Sequence, residues 1–220
     1  MTIRDAILER SSQRDFLPDP IDRTIIEDLL RLGGQAPSGA NMQPWLVYVV
    51  QNEALKKVSQ AVLDHMPAQG AFEEDYTYYP TSWFAPYKQR RHQTGLGLYE
   101  VLGIARDEKE KRQAQWEKNF LWFGAPTVFF VCYDKRLTQG SFIDLGGFMQ
   151  TICLGAMSYG LGTCIQASTA EYAGVIKKAL DIPDTLGLAY SIVLGYPTKS
   201  AENSYKPDRV DIAEFATFLD

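Results

Sequence analysis

The chain has 220 residues, 45% of them hydrophobic, with 22 Lys and Arg against 27 Asp and Glu for a formal net charge of −5. That balance fits one compact domain with a real core and argues against a disordered chain. The acidic surplus disfavours a nucleic-acid partner or an anionic membrane surface, and no run approaches the ~18 consecutive apolar residues that a membrane span needs.

Thr2 precedes helical spacing at Ile3, Ala6 and Ile7, which Ser11-Ser12 interrupts. A first helix is therefore expected to end in the cationic stretch Arg10-Ser11-Ser12-Gln13-Arg14. Charges at Arg4, Asp5 and Glu9 leave this N-terminus no apolar signal core, and a cytoplasmic location is expected. Asp22 is placed to cap a second helix with the stripe Ile25, Ile26, Leu29, Leu30, stopped by Gly33-Gly34.

The loop GGQAPSGANMQPW follows, and its small residues have weak justification from folding alone, since they cost conformational entropy and bury little. Residues 45–50, WLVYVV, read as a buried strand, and 53–66 as a helix. Residues 67–122 read as an irregular excursion or lid: Tyr76, Tyr78, Tyr79, Trp83, Phe84 and Tyr87, then Lys88, Arg90 and Arg91, then a charged helix from about 107 to 118.

Further strands are expected at 125–131 and 186–194. Between them, SFIDLGGFMQTICLGAMSYGLG reads as a long buried helix, opened by a Ser141-x-x-Asp144 capping box and closed at Gly160. Ile212, Phe215, Phe218 and Leu219 suggest a short terminal helix. No repeat or linker divides the chain, so residues 1–220 are expected to form one domain, and these strands alone would permit a doubly wound parallel sheet.

Catalytic signatures are scarce. His65 and His92 sit in polar or helical contexts, and the acidic runs Glu73-Glu74-Asp75 and Asp107-Glu108 read as solvated charge. Cys132, Cys153 and Cys164 lie in apolar segments without C-x-x-C spacing, which fits buried thiols and speaks against zinc or a disulfide framework; no metal is expected. An enzyme so built must lean on a cofactor. Three polar clusters stand out: RSSQR at 10–14, PSGAN at 37–41 and KPDR at 206–209. Two Arg and two Ser in five residues suit a phosphate, through bidentate guanidinium contacts and hydroxyl donors.

In combination, ERSSQRDF, APSGANMQPW, GLGTCIQAS and LGYPTK followed by YKPDR resemble the nitroreductase family of FMN-dependent oxidoreductases, in the family's order along nearly the whole chain. DYTYYPTSWFAPYKQRR, with GLYEVLGIARD and NFLWFGAP, is similar to the nitrobenzoate and nitroarene reductase branch. The resemblance implies an α+β fold, with a central, mostly antiparallel sheet wrapped by helices, in an intertwined homodimer with FMN at the subunit interface.

The resemblance also implies roles. Arg10 and Ser12, with Ser11 adjacent, contact the FMN phosphate; Lys206 and Arg209 close on it, with one extra residue between them relative to the family. Arg14 matches the cation that stabilises the reduced flavin at its pyrimidine edge, and Asn119 joins that edge. Pro37, Ser38, Gly39 and Asn41 reach the flavin of the other subunit. Gln166, Ala167 and Ser168 form the segment facing flavin N5. NADH or NADPH delivers hydride to N5 in a ping-pong cycle, and a nitroaromatic such as nitrobenzoate is reduced to the hydroxylamine. Tyr76, Trp83 and Tyr87 wall the substrate, with Arg90 available to a carboxylate. Rival readings are quinone or ene reduction or reductive dehalogenation on the same scaffold, a non-catalytic FMN sensor, and a structural dimer.

Overall fold

The computed structural model describes residues 1–66 and 73–219, so the first residues of the expected excursion, 67–72, lie outside the described residues. Its sheet has four strands, β1 (Leu46–Gln51), β2 (Thr127–Asp134), β3 (Gly162–Gln166) and β4 (Leu186–Gly195), in the order β1-β2-β4-β3. Every neighbouring pair is antiparallel, with Val49 opposite Phe129, Val128 opposite Val193 and Ile165 opposite Ile192. The parallel alternative is therefore excluded, and the fold is α+β.

Helices wrap both faces: α1 (Ile3–Glu9), α2 (Arg23–Gly33), α3 (Asn52–His65), α4 (Tyr87–Val101), α5 (Lys109–Glu117), α6 (Gly140–Met157), α7 (Ala173–Ala179) and α8 (Ala201–Ser204). The central strands β2 and β4 are apolar on both sides because both sides are covered. Val128, Phe130, Cys132 and Val193 join one core with Val58 and Val62 of α3 and Ile176 of α7. Phe129, Val131, Ile192 and Leu194 join the other with Leu29 of α2 and Phe148 and Ile152 of α6. Each such fully buried side chain contributes about 2 kcal/mol relative to exposure. At Gly33, a Cβ would lie 2.6 Å from Ile152 Cδ1 and 2.8 Å from Phe148 Cε2, so the end of α2 packs on α6 at a distance only glycine permits.

Local chemistry sets the helix ends. Thr2 and Asp5 form a reciprocal capping box on α1, and the Asp22 carboxylate accepts the Thr24 N–H to start α2. At the far end of α6, Gly160 takes φ 68 while Leu161 N–H reaches back to Ala156 O at 3.1 Å, the glycine stop expected there. The expected opening of α6 is different. Ser141 is buried inside the first turn, where its N–H bonds Thr138 O, and Asp144 gives its carboxylate to Gly39 N–H at 3.2 Å instead of to a capping box.

Three further expectations change. The excursion is largely helical: α4 was hidden because it buries no residue and so carries no apolar stripe. The C-terminal helix is a single 3-10 turn, Ile212–Glu214, and Phe215 and Phe218, exposed to solvent, bury no stripe that would support a longer helix. Asp75 is not solvated. Its side chain is 6% exposed and takes Lys177 Nζ at 2.7 Å, Lys135 Nζ at 2.5 Å and Leu188 N–H at 2.9 Å, fastening the excursion to the sheet.

Burial alone would push the Asp75 carboxyl up; hydrogen bonds from Lys135, Lys177 and Leu188 outweigh it and hold it below its ordinary value. A depressed carboxylate stabilises the fold above its unfolded-state pKa, and that contribution is lost as pH falls through the folded value. Asp75→Asn, which strands the buried Lys177 ammonium, should cost about 3 kcal/mol at pH 7. In urea unfolding at stepped pH, the gap between wild type and variant should shrink as the medium is acidified below the carboxylate range.

Candidate cofactor site

Beyond α1 the chain runs extended along the open edge of β3. Ser12 bridges Thr163 in parallel, and Gln13 N–H donates to Thr163 O at 2.9 Å. The arm then crosses to the segment after β4: Leu17 N–H donates to Tyr196 O at 2.8 Å and Thr198 N–H to Asp15 O at 3.1 Å. Asn203, in α8, locks the crossing. Its Oδ1 accepts Arg14 N–H at 2.6 Å, while Nδ2 donates to Asp15 O at 2.7 Å and to Thr198 O at 3.0 Å.

Extended backbone alternates its side chains, and the arm uses both sides. Gln13 Nε2 donates to Ser11 Oγ at 2.7 Å, and Gln13 packs on Gly162, where a Cβ would meet its Cγ at 2.6 Å. With Arg10 and Gly160–Thr163 they line a cavity of about 230 Å³. Ser12 and Arg14 lie toward Cys164: burial outweighs the pull of Arg14, Arg10 and the Ser12 hydroxyl and leaves that thiol raised to about 11. Positive charge is thus gathered at the edge strand.

Lys206 reaches the same place from the other end of the chain, donating its ammonium to Leu8 O at the end of α1. Arg209 is exposed, its guanidinium folded onto Pro207 O at 2.7 Å. Among the described residues, none of Arg10, Arg14, Lys206 and Arg209 has a carboxylate within ion-pair distance.

The two amides singled out in the sequence come together. Gln166, 3% exposed, donates from Nε2 to Asn119 O at 2.7 Å and accepts Ser191 Oγ at 3.2 Å. Asn119 Nδ2 donates to Trp116 O at 2.8 Å. Ala167 leads into a 3-10 turn, Ser168–Tyr172, and Ser168 Oγ is buried with no hydrogen-bond partner among the described residues.

The 37–41 loop is far more exposed. Ser38 Oγ accepts Gln43 N–H at 3.0 Å, and Ala40, Asn41 and Gln43 all take positive φ, of 48, 57 and 49. Left-handed geometry at non-glycine residues costs of order 1 kcal/mol each and is concentrated at functional loops.

Of the aromatic set, Tyr76 is half-buried: its hydroxyl donates to Ala189 O at 2.5 Å and its ring packs 4.8 Å from Phe142, with burial raising its phenol. Trp83 stacks under Arg91 at 4.8 Å, and Tyr87 is exposed beside Phe84. Arg90 pairs with Glu214 at 3.1 Å, within a cleft of about 670 Å³ between α4 and the segment from Tyr205 to Glu214. Sequence reasoning missed Asn203, Ser191 and Tyr205. Asn203 and Arg14 are 189 positions apart, so no local pattern signals the contact.

A family model described as the nitroreductase family matches residues 7–196, and the chain belongs to that family. It is 32% identical to a nitrobenzene nitroreductase of Ectopseudomonas oleovorans, covering 99% of this chain and 96% of that one. It is 33% identical to a 4-nitrobenzoate reductase of a Nocardioides species, covering 98% of this chain and 89% of the relative. Among solved structures it is similar to the FMN and NADPH-dependent nitroreductase NfnB from sphigopyxis sp. strain HMH, with a TM-score of 0.97 and 30% identity over the whole of both chains.

The Asn203 lock is testable without any cofactor. Asn203→Leu leaves the part-buried Arg14 N–H and Thr198 O unmatched and takes from Asp15 O one of its two donors, the other being Thr198 N–H, and should destabilise the apoprotein by about 2 kcal/mol, read from the denaturation midpoint.

Proposed function

We propose that the chain is an FMN-dependent NAD(P)H oxidoreductase that reduces nitroaromatic compounds, the class exemplified by nitrobenzene and 4-nitrobenzoate. The observation that carries this reading is the gathering of Arg10, Arg14 and Lys206, without carboxylate partners among the described residues, at a sheet edge that also presents the Asn119–Gln166 amides. Those donors fit FMN. Cations and the Ser12 hydroxyl suit its phosphate, and the buried, unmatched Ser168 hydroxyl suits a polar group that the chain alone does not provide.

FMN, when bound, supplies hydride exchange at N5, received from NADH or NADPH and passed to a nitro group. In this reading Arg10, Ser12, Lys206 and Arg209 hold the phosphate. Arg14 fixes a positive charge at the pyrimidine edge, where two-electron reduction adds negative charge; its backbone is immobilised by Asn203 so that little reorganisation is needed. Ser11 stands adjacent, its hydroxyl accepting from Gln13 Nε2 and keeping its own O–H to donate. Gln166 spends its side chain on Asn119 and Ser191, which leaves Ala167, Ser168 and the local backbone to face the cofactor.

The working unit in this proposal is a homodimer. One protomer leaves Ile3, Ile7 and Leu8 of α1, Ile143 of α6, Phe215 and Phe218 exposed, an apolar surface that a second copy would cover. The strained, exposed Pro37, Ser38, Gly39 and Asn41 loop then reaches the partner's flavin, which answers why small residues are concentrated there. Trp83, Tyr87 and Arg90 wall the substrate, with Tyr76 anchoring that wall to β4. Among the described residues no helix is long and apolar enough to cross a membrane. A cytoplasmic location, where reduced nicotinamides are supplied, accompanies this reading.

Anaerobic addition of NADH or NADPH should bleach the visible absorption of the purified protein, and 4-nitrobenzoate or nitrobenzene should restore it. A flavin band that survives both nucleotides, or that neither acceptor restores, contradicts the proposal. Arg14→Ala should retain FMN but reduce it on the order of 100-fold more slowly in stopped flow. Arg10→Ala should instead weaken FMN retention by roughly tenfold, the worth of one charge-assisted hydrogen bond.

A further inference from the structure

Helix α4 spans 15 residues and buries none of them, so no apolar stripe fixes its distance from the body of the protein. Its Arg90–Glu214 pair is solvent-exposed on both sides and holds it only weakly. The contact with Tyr205 is of another kind. Tyr205 Oη donates to Thr94 O at 2.9 Å, and the ring lies so close to Gly97 that a Cβ there would meet Oη at 2.6 Å and Cε2 at 2.8 Å.

Glycine inside a helix costs about 1 kcal/mol relative to alanine, so Gly97 works against its own helix. Close approach of the ring explains it, and the same helix provides the contrast: a Cβ at Gly95 would meet nothing within 4 Å. Tyr205 also stands on a fixed platform. It follows α8, whose Asn203 locks the Arg14 backbone and whose Glu202 pairs with Lys118 at 2.5 Å, next to Asn119. The ring therefore spaces α4 from the same frame that carries the cofactor-edge groups. Gly97, Thr94, Arg90 and Tyr205 all line the cleft of about 670 Å³.

We infer that the Gly97–Tyr205 contact sets how closely α4 closes over the substrate channel, which makes Tyr205 a positioning residue that determines the ring size of the nitroarene accepted. This rests on the proposed function, in which α4 walls the channel.

The test compares Gly97→Ala with Gly95→Ala, two changes with the same gain in helix propensity and only one clash. Backbone amide hydrogen exchange of residues 87–101 is read beside steady-state kinetics on nitrobenzene and on the larger 1-nitronaphthalene. Gly95→Ala should slow exchange across α4 and leave the ratio of the two KM values alone. Gly97→Ala should speed exchange and lower the KM for nitronaphthalene relative to nitrobenzene by roughly tenfold, the scale on which pocket shape discriminates one small group. Exchange slowed equally in both variants overturns the contact as a spacer. Exchange speeded with an unchanged KM ratio overturns its link to substrate size. A wild type that reduces neither nitroarene defeats the parent function, and the exchange comparison then separates that failure from a failure of the contact.

Discussion

Main-chain hydrogen bonds from the arm of residues 12–17 to β3, and to the segment following β4, carry the rest of the site. β3 is the edge strand of the sheet, and its free edge would otherwise present unpaired N–H and C=O groups. The arm covers it at Thr163, where Gln13 N–H pairs its carbonyl, and at the same time fixes the alternation that separates Ser11 and Gln13 from Ser12 and Arg14. Cations attached to a strand paired in this way cannot drift as surface lysines and arginines do. Phe16 finishes the seam by packing on Gly195, where a Cβ would lie 2.9 Å from its Cδ1.

Two regimes of stability coexist around this seam. The strands β2 and β4, with the helices covering them, bury apolar side chains on both faces and supply most of the folding free energy. Residues 73–101 of the excursion are attached mainly by polar points instead, the Asp75–Lys135–Lys177 cluster at its root, the Tyr76 hydroxyl on Ala189 and Tyr205 on Thr94, whereas Phe120 and Trp122 bury its far end in the core. Elements held by few buried apolar contacts open locally at low cost. That division suits the proposed catalyst, which would keep its cofactor rigid while exchanging a nicotinamide for a nitroarene.

What could be read from the sequence follows the same division. The stripe Ile25–Ile26–Leu29–Leu30 and the apolar runs of β2 and β4 are consequences of burial; β1, expected to be buried too, is an outer strand of the sheet that leaves Leu46 and Val49 exposed and buries only Val50. Burial leaves a periodic trace. α4 buries nothing, so it left none. β3 is five residues, begins with glycine and was visible only as part of GLGTCIQAS. The acidic run at 73–75 has a solvated composition, and only the distant Lys135 and Lys177 make Asp75 a buried ion. Asp144 has the spacing of a cap but serves Gly39. The cationic cluster was legible as chemistry; the asparagine that locks it was not, because Arg14 and Asp15, the arm residues it holds, are separated from it by nearly the whole chain.

The most direct test of the central claim, that the arm builds a phosphate-holding flavin site, is to titrate the apoprotein with FMN and with riboflavin and follow quenching of flavin fluorescence. FMN should bind and riboflavin should bind more weakly by on the order of 100-fold, since only FMN offers the phosphate to Arg10, Ser12 and Lys206. Equal affinity for the two flavins, or no binding of FMN, would contradict it.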